Sequence, residues 1–314
     1  MSKRFLVTGA TGFVGANLVR RLVKNGDEVH ILTRQESNKW RIVDILDQVT
    51  EHQVDLRDRF RLQSTLSRVR PDIVYHCAAY GAYSFQQDAI QIAEVNLMGT
   101  VNLVMALMEV GYECLINTGS SSEYGRKAKP MAEGDLLEPI TAYAATKAAA
   151  TLFCQAIARS RQQPILTLRL FSPYGPYEDS TRLIPAVIKK CLAGEALELS
   201  SGEEARDFFF VDDLVDLYLR VASLRWSPGD IVNVGSGKQH TVREIVNNVI
   251  ALTGANVRPL WGALPPRDFD TKFWVADITK AKLLFDWTPK VSLDEGLRRT
   301  IEWQRASNKA SQQL

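Results

Sequence analysis

The stretch Phe5-Leu-Val-Thr-Gly-Ala-Thr-Gly-Phe-Val-Gly15 decides the fold, because an apolar run breaks here into three glycines spaced three residues apart. Residues 4–8 predict a short buried strand, and residues 17–24 predict a helix with Leu18 and Leu22 on one face. The glycines therefore lie in a turn from strand to helix. Such a turn uses glycine for tight geometry, for close approach of a diphosphate to main-chain N–H groups, and for contact between helix and strand. This order of elements predicts a dinucleotide site, with the anion at the positive end of the helix.

Bulk composition is that of a globular protein with one large or two modest domains. The chain has 314 residues, of which 46% are hydrophobic and 24% are charged, and its formal net charge is +2. A charge so near zero argues against a function in which net charge draws the chain to nucleic acid or to a membrane surface. We identify no signal peptide and no apolar run of membrane-spanning length, so we expect a cytoplasmic protein. The four cysteines and four histidines are dispersed, which predicts buried thiols and no metal site.

Strands and helices alternate as far as residue 172. The further predicted strands cover residues 28–33, 73–78, 114–118 and 165–171. One predicted helix ends near residue 68, and two others cover residues 87–110 and 143–159. This alternation predicts an α/β fold, a Rossmann-type doubly wound parallel sheet with helices on both faces. Ligands of such sheets bind at the carboxyl ends of the strands, so the polar loops after Ala79, Thr118 and Phe171 should converge on one cleft.

From residue 173 onward the pattern is shorter and less regular. Predicted helices near residues 183–192, 211–224, 241–252 and 293–304 alternate with short strands such as residues 231–234. We expect residues 1–172 to form the dinucleotide-binding domain. Residues 173–314 should form mainly a smaller mixed α/β lobe that binds the substrate, with later segments returning to the first domain.

Tyr143 and Lys147 are four residues apart, hence on one face of a predicted helix. A phenol with an ordinary pKa near ~10 is a poor base at neutral pH, but an adjacent positive charge favours the phenolate. The pair could then exchange a proton with a substrate hydroxyl. The preceding loop, Thr118-Gly-Ser-Ser-Ser-Glu-Tyr-Gly125, supplies serine hydroxyls that could hold the reacting oxygen in line. Although the Tyr-x-x-x-Lys spacing is common on helix surfaces, its place after a strand and a polar loop favours a catalytic pair.

The sequence as a whole resembles the extended short-chain dehydrogenase/reductases that act on nucleotide sugars, a superfamily of epimerases, 4,6-dehydratases and 4-ketoreductases. The resemblance covers nearly the whole chain, and the shared order of its segments carries it. The matching segments are Thr8-Gly-Ala-Thr-Gly-Phe-Val-Gly15, Asp55-Leu56, His76-Cys-Ala-Ala79, Asn96-Leu-Met-Gly-Thr100, Ser120 with Tyr143 and Lys147, Tyr174-Gly-Pro176, Arg206-Asp-Phe-Phe-Phe-Val-Asp-Asp213, Asn233-Val-Gly-Ser-Gly237 and Ala276-Asp277.

The resemblance implies that Tyr143 is the catalytic acid/base and Ser120 the catalytic hydroxyl, while Lys147 holds the nicotinamide ribose and lowers the pKa of Tyr143. The residues expected at the cofactor are Gly9, Thr11, Gly12, Phe13, Val14, Gly15, Arg34, Asp55, Leu56, Ala78, Ala79, Asn96, Tyr143 and Lys147. The residues expected at the substrate are Tyr80, Tyr83, Ser121, Ser122, Ser172, Arg206 and Arg267. The two arginines are expected to clamp the sugar nucleotide's diphosphate, because a guanidinium bonds two phosphate oxygens at once.

Two departures from the family pattern narrow the reaction. Enzymes that use NAD usually place Asp or Glu after the second strand to bond the ribose 2′-hydroxyl, whereas this chain has Thr33-Arg34 there. Arg34 suits a 2′-phosphate, which favours NADP over NAD. Dehydratases of the superfamily follow their catalytic hydroxyl with an Asp-Glu pair, whereas this chain has Ser121-Ser122. Dehydration is therefore not expected.

We therefore expect a 4-ketoreductase of a nucleotide-linked 4-keto-6-deoxyhexose, with a nucleotide-sugar 4-epimerase that keeps NAD bound as the close alternative. The alternative of another class is a dinucleotide-binding sensor or scaffold without turnover, against which the intact Ser120, Tyr143 and Lys147 argue. Neither nucleic acid nor membrane is an expected partner. In relatives, the apolar faces of helices at residues 95–108 and 148–157 build a four-helix contact, so we expect a homodimer.

Overall fold

A parallel sheet forms the centre of the protein in its computed structural model, which describes residues 3–83, 85–265 and 270–311. The strands are β1 (Arg4–Thr8), β2 (Glu28–Thr33), β3 (Thr50–Gln53), β4 (Ile73–His76), β5 (Cys114–Ser120), β6 (Ile165–Leu170), β7 (Ser172–Tyr174), β8 (Leu197–Leu199), β9 (Ala205–Arg206), β10 (Phe208–Phe210), β11 (Ile231–Val234), β12 (His240–Thr241) and β13 (Pro259–Trp261). Seven of them form one sheet in the order β11-β6-β5-β4-β1-β2-β3, and each neighbouring pair is parallel. The predicted Rossmann-type sheet is confirmed.

Helices cover both faces of this sheet. They are α1 (Phe13–Asn25), α2 (Arg59–Val69), α3 (Ala89–Ala93), α4 (Gly99–Val110), α5 (Ala142–Arg161), α6 (Leu183–Ala193), α7 (Val211–Val221), α8 (Val242–Thr253), α9 (Thr279–Phe285) and α10 (Leu293–Ser311). On one face α1 and α7 pack together, with Leu22 and Leu214 in one apolar core. On the other face α2, α4 and α5 bury Leu66 and Leu107 in a second core. Burial of each such side chain contributes about 1.5–3 kcal/mol.

A third apolar core joins α6, α8 and α10 to several short strands. These strands pair as β7 with β10, β9 with β12 and β8 with β13, outside the large sheet. Segments after residue 172 also return to the large sheet. Strand β11 extends it beside β6, and α7 packs on α1.

Three elements differ from their predicted bounds. Helix α1 begins at Phe13 rather than at residue 17, because Gly12 takes an extended conformation and caps it. Strand β3 was not predicted, since its sequence Thr-Glu-His-Gln has no apolar residue and it lies at the sheet edge. The predicted helix over residues 87–110 begins at Ala89 and contains a π-helical turn at Glu94–Met98, a feature often found near functional sites.

The helical segment Ala89–Val110 is long and apolar enough to cross a membrane, judged by length and composition alone. The expectation that no apolar run reaches this length was therefore wrong. In this structure Leu103, Val104 and Leu107 of the segment are fully buried in the core beside α2 and α5. A core helix of a globular protein can have the same length and composition, and in this structure the segment is such a core helix.

Candidate functional site

The glycine-rich turn between β1 and α1 is packed too tightly to carry side chains. Gly9 has a φ of +68°, and a Cβ built on it would lie 2.5 Å from the Ala78 main-chain nitrogen. A Cβ on Gly15 would lie 2.2 Å from the Gly9 carbonyl oxygen, which also accepts the Gly12 N–H over 3.0 Å. The turn thus lies directly against the main chain after β4, where Ala78 was predicted to line the cofactor.

The N-terminus of α1 is open to an anion. Gly12 is its N-cap, no side chain of the described residues caps it, and its first turn, from Phe13, holds no acidic residue. The first N–H groups of a helix have no partner within the helix and carry partial positive charge. A dinucleotide's diphosphate fits such a terminus. Beside it, the Thr11 carbonyl oxygen accepts a hydrogen bond from Arg41 Nη1 over 3.2 Å, which fixes the turn.

Ser120, Tyr143 and Lys147 come together at the carboxyl end of β5. Ser120 ends that strand, and its hydroxyl lies 2.8 Å from the hydroxyl of Ser122. Tyr143 is in the first turn of α5, half-buried, and hydrogen-bonds to the Ser120 side chain. One turn later Lys147 is buried, and its Nζ donates to the Thr118 carbonyl oxygen over 2.5 Å. The three predicted catalytic residues therefore share one place at the strand ends.

Burial sets the pKa of both titratable members of this group. It raises the pKa of Tyr143, because the phenolate would lose solvation, and the Ser120 hydrogen bond and the charge of Arg182 lower that pKa only in part. Burial also lowers the pKa of Lys147, and the negative charge of Glu123 opposes this. At neutral pH the phenol of Tyr143 therefore holds its proton.

The direction for Tyr143 is opposite to the expectation that Lys147 depresses its pKa. The Lys147 ammonium is turned to the Thr118 carbonyl oxygen. The cation that acts most strongly on the phenol is instead Arg182, which the sequence did not single out. The sequence did not point to Arg182 because this residue lies far from Tyr143 along the chain, in the segment that leads into α6.

Arg34 and Asp55, both expected at the cofactor, are engaged with other charged side chains. Arg34 Nη1 lies 3.3 Å from Glu36 Oε1. Asp55 Oδ2 accepts from Arg57 Nη2 over 2.7 Å. Burial opposes the charge on Asp55, yet the Arg57 hydrogen bonds and the nearby Arg34 leave its pKa lowered. Leu56, next to Asp55, is buried. Arg34 therefore pairs with the exposed Glu36, and its charge also acts on Asp55.

Asn96 acts on the expected cofactor site indirectly, by hydrogen-bonding to the loop that contains Ala79 and Tyr80. Its Oδ1 accepts from the Tyr80 N–H over 2.8 Å, and its Nδ2 donates to the Tyr80 carbonyl oxygen over 2.8 Å. The same Nδ2 donates to Thr146 Oγ1 over 3.1 Å. Asn96 thus fastens the loop of Ala79 and Tyr80 to α5, close to the first turn that carries Tyr143.

The expected substrate residues Ser121 and Arg206 are linked through Trp274. Ser121 is buried and its Oγ accepts from Trp274 Nε1 over 3.1 Å. The Arg206 guanidinium lies 5.3 Å from the Trp274 ring centroid, and its Nη2 lies 3.3 Å from Asp270 Oδ1. Ser121 therefore supports the site from within rather than lining an open cleft. The second predicted clamp, Arg267, lies outside the described residues.

Tyr83 and Ser172 occupy different parts of the site. The Tyr83 ring stacks on Phe85 with centroids 5.4 Å apart, and the Arg182 guanidinium lies 4.6 Å from the Tyr83 centroid. Ser172 begins β7, and its N–H donates to the Asp207 carbonyl oxygen over 3.0 Å. Tyr83 and Arg182 therefore form a wall near Tyr143.

Sequence reasoning also missed the roles of Glu123, Arg169 and Glu178 beside the site, and of these only Arg169 left a readable signal. Arg169 is the charged residue of a fully buried strand, and a charge in such a place needs a partner. That partner is Glu123, whose Oε2 lies 2.7 Å from Arg169 Nε. Glu178 gave no such signal, although its Oε2 is buried without a partner among the described residues. Among residues 3–83, 85–265 and 270–311, no cluster of three His, Cys, Asp or Glu side chains could hold a metal ion.

Comparison with known proteins places these features in a family. The model of the NAD dependent epimerase/dehydratase family matches residues 5–235. A UDP-glucose 4-epimerase of Mycolicibacterium smegmatis is 30% identical over 96% of this chain and 98% of its own length. The structure of a UDP-glucose 4-epimerase with UDP-glucose from Thermotoga maritima has a TM-score of 0.90, with 28% identity over 97% of this chain and 99% of that chain. A UDP-glucose 4-epimerase complex with NAD from Thermus thermophilus has a TM-score of 0.87, with 29% identity and the same two coverages.

Proposed function

Because the chain belongs to the NAD dependent epimerase/dehydratase family of enzymes, we propose that it is an NAD-dependent 4-epimerase of a nucleotide-diphosphate sugar. The observation that carries this proposal is the grouping of Ser120, Tyr143 and Lys147 at the same edge of the sheet as the open N-terminus of α1. The names of the relatives support the substrate class and make UDP-glucose the first compound to test. They also argue against the sensor or scaffold without turnover.

The chain's own residues would move a proton. When bound, the nicotinamide would supply the redox chemistry, which is reversible acceptance of a hydride from the sugar. The Tyr143 Oη would take the proton of the sugar 4-hydroxyl and later return it, while the Ser120 hydroxyl orients the reacting oxygen. Because burial raises the pKa of Tyr143, its phenol must release its own proton before it can take that of the sugar hydroxyl, and it then donates that proton back in the second step. Lys147 would hold the nicotinamide ribose as a buried cation, and Gly9, Gly12 and the first turn of α1 would hold the diphosphate.

We infer that NAD is the cofactor, in place of the NADP expected from Arg34. A structural neighbour is a complex with NAD, and the family description names NAD. In addition, Arg34 lies beside Glu36, whose negative charge would repel a 2′-phosphate.

A 4-ketoreductase that uses NADPH is the second candidate. One observation favours it: Arg34 directly follows β2, at the position where a 2′-phosphate would bind. Ser121 and Ser122 still stand where dehydratases carry their acidic pair, so elimination of water is not proposed.

The division of labour within the chain and its assembly are also proposals. We infer that residues 1–172 bind the dinucleotide and that residues 173–314 mainly bind the sugar nucleotide, with Arg206 on its diphosphate.

A homodimer is supported by exposed apolar side chains on contacting helices, namely Ile90, Met98, Met105 and Leu152. Sedimentation at micromolar concentration should give a dimer in the wild type and a monomer in Met105→Glu/Leu152→Glu. A wild-type monomer would refute the proposed homodimer. Separately, we propose that the protein is cytoplasmic.

The reaction is tested with purified protein and two assays. Denaturation and chromatography should release NAD rather than NADP, and UDP-glucose should convert to its 4-epimer without net change in absorbance at 340 nm. In the second assay, NADPH and nucleotide-linked 4-keto-6-deoxy sugars are mixed with the protein. Steady consumption of NADPH there, with no epimer in the first assay, would replace the epimerase with the reductase.

A further inference from the structure

Glu123 and Arg169 form a buried ion pair directly behind the catalytic serine. The Glu123 side chain is fully buried, the Arg169 side chain is 2% exposed, and Arg169 Nε donates to Glu123 Oε2 over 2.7 Å. Two buried charges lose much solvation energy, so their retention calls for a reason beyond packing. Arg169 also donates to the Tyr124 hydroxyl over 3.0 Å, and that hydroxyl donates to Asn233 Oδ1 over 2.7 Å. The pair is therefore fixed from several sides.

The free oxygen of this carboxylate holds the turn that presents Ser120. Ser120 caps the short helical turn Ser121–Tyr124, and its own N–H donates to Glu123 Oε1 over 2.8 Å. Thr151 of α5 donates to the same oxygen over 3.0 Å. A single oxygen thus ties the end of β5 to the helix that carries Tyr143 and Lys147.

The strand before Ser120 is shaped to admit the pair. A Cβ on Gly119 would lie 2.9 Å from Glu123 Oε1 and 3.0 Å from Arg169 Cγ. Thr167 Cγ2 would lie 3.0 Å away as well, so the ion pair and Thr167 together favour glycine at the position before Ser120.

The same carboxylate acts electrostatically on the two titratable catalytic groups. Burial lowers the pKa of Lys147, and the Glu123 charge is the strongest effect that raises it. Glu123 also adds to the raised pKa of Tyr143, after burial has raised it. The other groups that act on Lys147 are Cys77 and Cys154, and those that act on Tyr143 are Ser120, Arg182 and Tyr83. His76 faces Lys147 as well, because the lysine's charge, after burial, lowers the His76 pKa.

Building on the proposed function, we propose that Glu123, held by Arg169, is a positioning residue that fixes the Ser120 hydroxyl and supplies the negative charge opposite Lys147. Glu123 touches neither sugar nor cofactor in this role. Replacing its charge should therefore change the titration of a neighbouring residue, which loss of packing alone would not do.

The test is a titration of Lys147 by NMR in protein labelled at the lysine ε-carbons, with the signal assigned from Lys147→Met. In Glu123→Gln the ammonium should lose its proton at lower pH than in the wild type, because the opposing charge is gone. The matched control is Thr151→Val, which removes one hydrogen bond to the carboxylate and keeps its charge. Its Lys147 titration should stay that of the wild type.

Should Glu123→Gln not fold, Glu123→Gln/Arg169→Met removes both buried charges and leaves no guanidinium unpaired, and a smaller downward displacement is expected because the positive charge of Arg169 is lost as well. Kinetics add a second readout: kcat should fall by about 10²-fold while KM changes little, since Ser120 is displaced but binding groups are not. An unchanged Lys147 titration in a folded variant would overturn the inference. The titration needs no substrate, so a wild type without epimerase activity would overturn the proposed function and leave this result to stand by itself.

Discussion

Replacing Glu178 by Gln should stabilise the fold, with a gain that grows as the pH rises. The Oε2 atom of Glu178 is buried and has no hydrogen-bond partner among the described residues. Burial raises the pKa of this carboxyl to about 8, although the charges of Arg182 and Arg41 act to lower it. The folded protein therefore holds a proton on Glu178 at neutral pH, whereas the unfolded chain has released it. Gln resembles the protonated form and has no proton to release.

The magnitude follows from the two pKa values, 4.5 for the free carboxyl and about 8 in the fold. Between these limits the unfolded state binds fewer protons, so the free energy of unfolding falls by about 1.4 kcal/mol for each pH unit. The accumulated loss is about 1 kcal/mol at pH 5 and about 3 kcal/mol at pH 7. Glu178→Gln should recover these amounts.

The assay is urea denaturation of the wild type and Glu178→Gln at several pH values from 5 to 8. The neighbouring Asp179 is the control of opposite sign. Burial works against its charge, but hydrogen bonds from Thr181 outweigh this and leave its pKa lowered. Asp179→Asn should therefore destabilise the fold by the same amount throughout pH 5 to 8, because the lowered pKa of Asp179 lies below this range. A stability difference for Glu178→Gln that is equal at pH 5 and pH 7, or negative at pH 7, would refute the reasoning.

Three further predictions concern the catalytic group, the glycine turn and acid stability. Tyr143→Phe should lower kcat by about 10²–10⁴-fold with NAD content unchanged, and activity near the wild-type value would leave the phenol without a role. Gly15→Ala places a Cβ 2.2 Å from a main-chain oxygen, so the purified variant should contain little NAD, whereas Gly134→Ala, with open space around it, should keep its NAD. Burial, and after it the charge of Lys147, lowers the pKa of His76 to about 3 from its usual 6.5, so the unfolded state gains a proton first as the pH drops. Below pH 6.5 the free energy of unfolding should therefore fall by about 1.4 kcal/mol per pH unit from this group, and an equal slope in His76→Gln would contradict the assignment.

The parts of the site that could be predicted from the sequence are those whose residues lie at a fixed local spacing. The glycine turn and the pair Tyr143 and Lys147 each lie within one short segment, so periodicity alone places them on a turn or on one helix face. The strand β3 was missed because pairing with β2, rather than apolar residues, holds it at the sheet edge.

Charged partners that are far apart in sequence could not be found in this way. Glu123 and Arg169 are separated by 46 positions, and only the fold brings them together. The same holds for Arg182 and Tyr143, whose pKa was predicted to fall and is raised. Desolvation decides that direction, and it depends on tertiary packing that no local pattern encodes.

The most direct test of the central claim is a labelling experiment with the purified protein and its own bound NAD. UDP-glucose that carries deuterium at C4 is incubated in ordinary water, and the 4-epimer is examined by NMR and mass spectrometry. The account predicts that the epimer forms and keeps its deuterium at C4, because only the hydroxyl proton passes through Tyr143. Loss of the deuterium to water, or absence of any epimer from protein that holds NAD, would contradict it.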